Sequence, residues 1–84
     1  MVLEAEPVNW VRLESSVFTA ARYSDEEQSL YLEFRSGAIY RYFDFPPHQY
    51  REFLAGDSKG RYFNQQILGR FREQRVRPPY RKAS

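Results

Sequence analysis

A β-hairpin pattern that ends in two consecutive prolines constrains the fold of this chain more than any other feature. Residues 30–35 alternate apolar and polar side chains, and a period of two predicts a strand buried on one face. The tyrosine-rich segment 38–43 follows after Ser36-Gly37 and predicts the second strand. Pro46-Pro47 ends it, because proline cannot donate a hydrogen bond to a sheet ladder.

The turn at Ser36-Gly37 decides which tyrosines face the core. A two-residue type I′ loop would need a positive φ at Ser36, which serine disfavours. A three-residue loop suits the sequence better, with a type I turn through Arg35-Ser36 and Gly37 in the left-handed region. That register predicts Tyr40 and Tyr42 on the apolar, inner face. The opposite face then carries Tyr31, Glu33, Ile39, Arg41 and Phe43.

One further strand and two helices are expected around the hairpin. Residues 17–23 are rich in β-branched and aromatic side chains, which favour a strand. Apolar residues at i, i+3 and i+4 from Tyr50 predict a helix over 47–55. Phe63, Ile67 and Phe71, at i, i+4 and i+8, predict a second helix over 59–72. The predicted fold class is α+β, with a small antiparallel sheet of about three strands followed by two α-helices packed on one face.

The length of 84 residues indicates one domain, because a second core would have too little material. We expect a flexible arm over residues 1–8, a single domain over 9–73 and a basic, proline-containing tail over 74–84. Cysteine is absent, which excludes a disulfide framework and a zinc–thiolate site. No apolar run approaches the roughly 20 residues of a membrane span, and no signal-peptide pattern is present. The expected setting is cytoplasmic, with no membrane partner.

The net charge of +2 conceals a gradient along the chain. Residues 1–33 hold seven acidic and two basic residues, a balance of −5. Residues 34–69 hold three acidic and five basic residues, a balance of +2, and residues 70–84 hold one acidic and six basic residues, a balance of +5. A basic end of this kind indicates binding to a polyanion, and it is equally typical of a solvated terminus that only aids solubility.

The residue types that carry catalysis are not arranged for it. His48 is the only histidine, and with no cysteine beside it we expect a surface residue rather than a metal ligand. Ser15-Ser16 lacks the GxSxG context of a nucleophile. The segment Gly56–Gly60 lacks the Walker spacing, although the predicted helix N-terminus near Ser58 could hold a phosphate through its free N–H groups. We expect no enzyme activity, no metal and no cofactor.

Four segments follow one another in an order that carries a family resemblance: SSVFTAARY at 15–23, LYLEF at 30–34, SGAIYRYFDFP at 36–46 and YREFLAGDSKGRYFNQQI at 50–67. Together they resemble the KTSC domain family, over about residues 11–76. That domain is named for the C-terminus of some lysyl-tRNA synthetases and also occurs as small stand-alone bacterial proteins. The resemblance implies a link to RNA through the synthetase, and it brings no catalytic residues.

The leading hypothesis is a non-catalytic module that binds nucleic acid, with tRNA-like RNA or a single strand as partner. Basic residues of the second helix and tail would contact phosphates, and outward aromatics would stack on bases. The alternative is a protein-interaction or homodimerisation module that uses the outer sheet face, unless Trp10 or Leu13 covers that face. The predicted binding residues are Lys59, Arg61, Arg70, Arg72, Arg75, Arg77, Arg81, Lys82, Tyr31, Arg41 and Phe43.

Overall fold

The computed structural model describes residues 10–80, which form an antiparallel five-stranded sheet with helices on one face. The strands lie in the sheet in chain order, each antiparallel to its neighbours. The predicted arm at 1–8 and the predicted contacts Arg81 and Lys82 lie outside the described residues. The elements are β1 (Val11–Arg12), β2 (Phe18–Ser24), β3 (Ser29–Phe34), β4 (Ile39–Tyr42), α1 (Pro47–Ala55), α2 (Lys59–Tyr62), a π-helical segment (Phe63–Ile67) and β5 (Glu73–Arg77).

The hairpin of β3 and β4 has the predicted turn and register. The Gly37 N–H donates to the Phe34 carbonyl at 2.8 Å, and Gly37 has a φ of +95°. Tyr42 pairs with Leu30 across the ladder and is only 2% exposed. Tyr40 packs against the same core and is partly buried. The prediction that both tyrosines lie on the inner face is confirmed.

The core between the inner sheet face and the helices is built largely from aromatic rings. Phe18 of β2 is fully buried, with ring centroids 5.9 Å from Phe53 of α1 and 5.3 Å from Phe63 of the π-helical segment. Phe63 also meets Tyr42 at 5.9 Å. All three contacts are edge-on, a geometry typically worth about 0.5–1.5 kcal/mol beyond burial. The buried apolar residues are Leu13, Phe18, Ala21, Leu30, Leu32, Ala38, Tyr42, Phe45, Phe53, Phe63 and Ile67.

Helix α1 has the predicted bounds, whereas the second helix is shorter than the predicted 59–72. Ser58 caps α2 by accepting a hydrogen bond from the Arg61 N–H at 3.1 Å. The helix then widens into the π-helical segment and stops before Gly69, which has a φ of +77°. Phe71 still packs against Phe45, with ring centroids 4.6 Å apart, from beyond the helix end. The helix was predicted too long because Phe71 keeps the apolar spacing of the helix but packs on the core from the turn that follows it.

The sheet has five strands, not the predicted three or so, because β1 and β5 add one strand at each edge. β5 includes residues 74–77, which the sequence placed in a tail. Its side chains are exposed apart from Arg77, so it lacks the alternation that marks a half-buried strand. It forms instead by pairing its backbone with β4, and the Phe43 N–H extends this pairing by donating to the Arg72 carbonyl at 2.9 Å. In residues 10–80 no helix has the length and apolar character needed to cross a bilayer.

The residues after β5 return to the turn of the hairpin. The Tyr80 N–H donates to the Ser36 carbonyl at 2.9 Å. The Tyr80 ring lies so close to Gly37 that a Cβ added there would overlap it. The guanidinium of Arg77 lies 4.8 Å from the centroid of the same ring. Gly37 is therefore required both by its backbone conformation and by the ring packed on it.

Replacing Gly37 by alanine should lower the free energy of unfolding by about 1–3 kcal/mol, because the left-handed backbone is unfavourable for a residue with a Cβ. Urea unfolding followed by circular dichroism measures the change. Gly69→Ala is the matched control, since Gly69 also has a positive φ but open space around it. The Gly37→Ala variant should be the less stable of the two. Equal stability of the two variants would contradict the contact with Tyr80.

Candidate nucleic-acid interface

The sheet face opposite the helices, here called the outer face, carries two rows of side chains that run across the strands. Residues paired directly across neighbouring strands place their side chains on the same face, so each row follows from the register. The pocket row consists of Arg12, Ala20, Glu33, Ile39 and Arg77. The stacking row consists of Arg22, Tyr31, Arg41 and Gln74, with Phe43 and Arg72 beside it.

Arginine and aromatic side chains alternate along the stacking row. The Arg22 guanidinium carbon lies 4.7 Å from the centroid of the Tyr31 ring. Those of Arg41 and Arg72 lie 4.1 and 4.2 Å from the centroid of Phe43. The negative face of an aromatic ring attracts a guanidinium at such distances, typically by about 0.5–1 kcal/mol where water has access. The rings therefore hold three positive charges in place on an open surface.

Glu27, in the turn between β2 and β3, anchors the stacking row. The Tyr31 hydroxyl donates to Glu27 Oε1 at 2.5 Å, and Arg41 Nη2 lies 3.9 Å from the same oxygen. Arg41 Nε also donates to the buried Ser29 Oγ at 2.8 Å. Burial, followed by the hydrogen bond to Glu27, raises the pKa of the Tyr31 phenol above its ordinary value. The row is thus fixed by side-chain bonds as well as by stacking.

The pocket row lines a depression of about 380 Å³, together with Trp10 and Thr19. Glu33 Oε1 accepts a hydrogen bond from Thr19 Oγ1 at 2.9 Å. Glu33 Oε2 accepts one from Arg77 Nη2 at 2.6 Å. Arg12 is exposed at the same depression. An indole, an oriented carboxylate and two guanidinium groups therefore meet in one small space.

The outer face carries positive charge that the described residues do not neutralise. Within residues 10–80, no carboxylate oxygen lies within 4 Å of the guanidinium nitrogens of Arg12, Arg22 or Arg72. His48 is exposed on α1, and the described part of the chain contains no cluster of three metal-ligating side chains. The stacking row therefore offers guanidinium cations and aromatic rings to a ligand.

The structure brings part of the predicted binding set together on the outer face. Tyr31, Arg41, Phe43 and Arg72 belong to the stacking row, whereas Arg77 belongs to the pocket row and is ion-paired with Glu33. Leu13 is buried in the core and Trp10 lines the depression, so neither lies on the stacking row.

The remaining predicted residues lie elsewhere. Lys59 and Arg61 are on α2, on the opposite side of the sheet, and Lys59 Nζ donates to the Gly56 carbonyl at 2.8 Å. Arg70 donates from Nε to the Gln65 carbonyl at 2.9 Å. Arg75 pairs with Tyr40, whose side chain faces inwards, and is exposed at the sheet edge. The predicted set is therefore not a single surface.

The predicted binding set omitted several residues of the outer face, among them Trp10, Arg12, Arg22 and Glu33. Alternation within β2, where Ala21 is buried beside Arg22, is a signal that could have located Arg22. The bulge between Phe18 and Ala20 interrupts that alternation and hides it. β1 is only two residues long, too short to show a period.

Comparison with known families and relatives shows which proteins this chain is similar to. The KTSC domain family matches residues 14–71. A protein of Tsukamurella paurometabola is 43% identical over 60 residues, which cover 71% of this chain and 90% of that protein. A protein of Stutzerimonas stutzeri is 47% identical over 55 residues, 66% of this chain and 78% of that protein.

Two further similarities concern a solved structure and a class of larger proteins. The crystal structure of a KTSC domain protein from Yersinia pestis superposes with a TM-score of 0.78 at 26% identity, covering 81% of this chain and 96% of that one. Lysine–tRNA ligases of Nostoc punctiforme and Nostoc sp. are 39% and 41% identical over 59 and 63 residues. These segments cover 70% and 75% of this chain but only 10% and 11% of the ligases.

Replacing Glu27 by glutamine should lower the pKa of Tyr31, because the carboxylate stabilises the neutral phenol and repels the phenolate. An NMR titration of the tyrosine ring carbons measures it. Glu26→Gln is the matched control, since it removes an exposed carboxylate one residue away. An unchanged Tyr31 titration in the Glu27→Gln variant would contradict the hydrogen bond that anchors the stacking row.

Proposed function

The chain belongs to the KTSC domain family, and from this membership and the geometry of the outer face we propose that it is a non-catalytic module that binds single-stranded RNA. The observation that carries the proposal is the alternation of arginine and aromatic side chains along the stacking row. The outer face is the binding surface, and the helices support it from behind.

The outer face offers surfaces on which bases can stack. Single-stranded nucleic acids are bound where bases can lie on aromatic rings or on the planes of guanidinium groups. Arg41 and Arg72 lie over Phe43, so a base can lie on this stack of guanidinium groups and ring. Tyr31 adds a second ring on the neighbouring strand, and both rings are only partly buried. The sheet thus presents a platform wide enough for neighbouring bases.

The outer face also offers positive charge to the phosphates of a bound strand. A guanidinium that lies flat on a ring still has N–H groups at its edge, and these can donate to phosphate oxygens. Arg22 and Arg72 flank the two rings, and in the described residues neither is within 4 Å of a carboxylate. Phosphate contacts of this kind make binding depend strongly on salt and weakly on base identity.

The relatives provide the third support. The lysine–tRNA ligases that share this segment act, by name, on a tRNA. The shared segment is about a tenth of each ligase, so it supports an accessory contact with RNA rather than the ligation reaction. A module that adds general RNA affinity suits both a small separate protein and a segment of a larger enzyme.

The proposal is tested by titrating a labelled RNA oligonucleotide and a labelled tRNA with the full chain at two salt concentrations. Phe43→Leu should weaken binding about fivefold or more, because losing a base stack costs about 1–3 kcal/mol. Arg72→Ala should reduce the slope of log affinity against log salt by about 0.7, the loss of one phosphate contact. The full chain is used because removing residues 74–84 would delete most of β5.

Arg61→Ala is the matched control for charge, because it removes the same group from the helical side. It should leave the affinity close to that of the unchanged chain. An equal loss from Arg61→Ala and Arg72→Ala would mean that net charge acts without a defined surface. No RNA binding at low salt would overturn the proposal. A stable dimer in light scattering that Phe43→Leu dissociates would assign the outer face to a second copy instead.

A further inference from the structure

The depression over the pocket row contains Trp10 and the Glu33 carboxylate, to which the proposed function assigns no contact with RNA. We propose that it binds one guanine base of the RNA strand, and that the Glu33 carboxylate recognises this base through hydrogen bonds. This inference rests on the proposed function and gives the same outer face a base preference. The volume of the depression, about 380 Å³, lies in the range of small-ligand pockets.

The hydrogen bonds of Glu33 hold its carboxylate in one orientation. Thr19 Oγ1 donates to Oε1 at 2.9 Å and Arg77 Nη2 donates to Oε2 at 2.6 Å. Arg77 is itself held, since its Nε donates to the Gly37 carbonyl at 3.0 Å and its Nη2 also donates to the Tyr80 hydroxyl at 2.9 Å. A carboxylate has about four acceptor positions, so each oxygen retains one for a ligand. A donor pair that approaches both oxygens at once would therefore be bound bidentately.

Guanine is the RNA base whose Watson–Crick edge presents two adjacent donors, the ring N1–H and the exocyclic amino group. Adenine, cytosine and uracil each direct at least one acceptor at the position where the second donor is needed. Such an acceptor would face a carboxylate oxygen with no proton between them, which is unfavourable in a partly desolvated site. A site built around hydrogen-bond partners rejects ligands that lack them more strongly than a purely apolar pocket does.

The walls of the depression suit a flat ring that continues into a phosphate backbone. Trp10 offers an indole as a stacking partner, and Ile39 and Ala20 supply apolar contacts. Arg12 lies at the same depression, and in the described residues no carboxylate is within 4 Å of its guanidinium. Its side chain is exposed, so it can meet a phosphate next to the bound base.

The depression and the stacking row are close enough for one RNA strand to contact both. Glu33 and Tyr31 are two residues apart on β3, as are Ile39 and Arg41 on β4. Alternate residues of a strand are separated by about 7 Å along its axis. A single RNA strand laid across the outer face can therefore place one base in the depression and neighbouring bases on the stacking row.

The test compares uridine oligonucleotides of equal length that carry one central guanosine, inosine, adenosine or uridine. The guanosine oligonucleotide should bind about tenfold or more tightly than the adenosine and uridine ones. Inosine, which lacks the amino group, should fall between them. Trp10 is the single tryptophan of the chain, so its emission should be quenched most by the guanosine oligonucleotide.

Glu33→Gln should bring the ratio of the affinities for the guanosine and uridine oligonucleotides close to one, and this ratio cancels any general change in RNA affinity caused by removing the charge. The inosine comparison changes only the ligand, so it tests the inference even if that variant does not fold. Equal affinity for all four oligonucleotides would overturn the guanine site and leave RNA binding intact. Binding of none at low salt would overturn the proposed function itself. Quenching of Trp10 by free guanosine monophosphate without oligonucleotide binding would overturn both and assign the depression to free nucleotides.

Discussion

The left-handed turn at Gly37 sets the face on which every side chain of β4 lies. With this turn, Tyr40 and Tyr42 pair with β3 on the inner face and Arg41 lies outside. A shift of one residue would exchange the faces, exposing the tyrosines and directing Arg41 and Phe43 at the core. The Tyr80 ring packed on Gly37 ties the end of the described chain to the same turn. The core, the stacking row and the course of the chain after β5 all depend on this one conformation.

Aromatic rings have different partners on the two faces of the sheet. On the inner face, aromatic rings pack against one another and exclude water, as Phe18 does edge-on with Phe53 and Phe63. On the outer face, rings meet guanidinium groups instead, and both remain partly accessible. Stacking restricts the long arginine side chains before any ligand arrives, so less conformational entropy is lost on binding. An ordered charged surface of this kind can therefore bind a polyanion without a deep cleft.

Local signals account for the parts of the fold that were predicted well. The alternation of β3, the Ser36-Gly37 turn and the double proline act over a few residues, and the hairpin and α1 follow them. The second helix was predicted too long because Phe71 kept the apolar spacing from outside the helix. β5 was missed because it forms by backbone pairing with β4, and exposed side chains leave no period to detect.

The sequence by itself determined the hairpin register, the first helix, the α+β class and the family, because each depends on short-range geometry or on residues in a recognisable order. It also indicated a surface with Tyr31, Arg41 and Phe43 on one side of a sheet. Only the tertiary structure joined Trp10, Arg12, Glu33 and Arg77 in one depression. These residues are far apart in the chain and meet because β1 and β5 pair with opposite sides of the central strands. Cross-strand adjacency of that kind is decided by the whole sheet, so no local pattern could have revealed it.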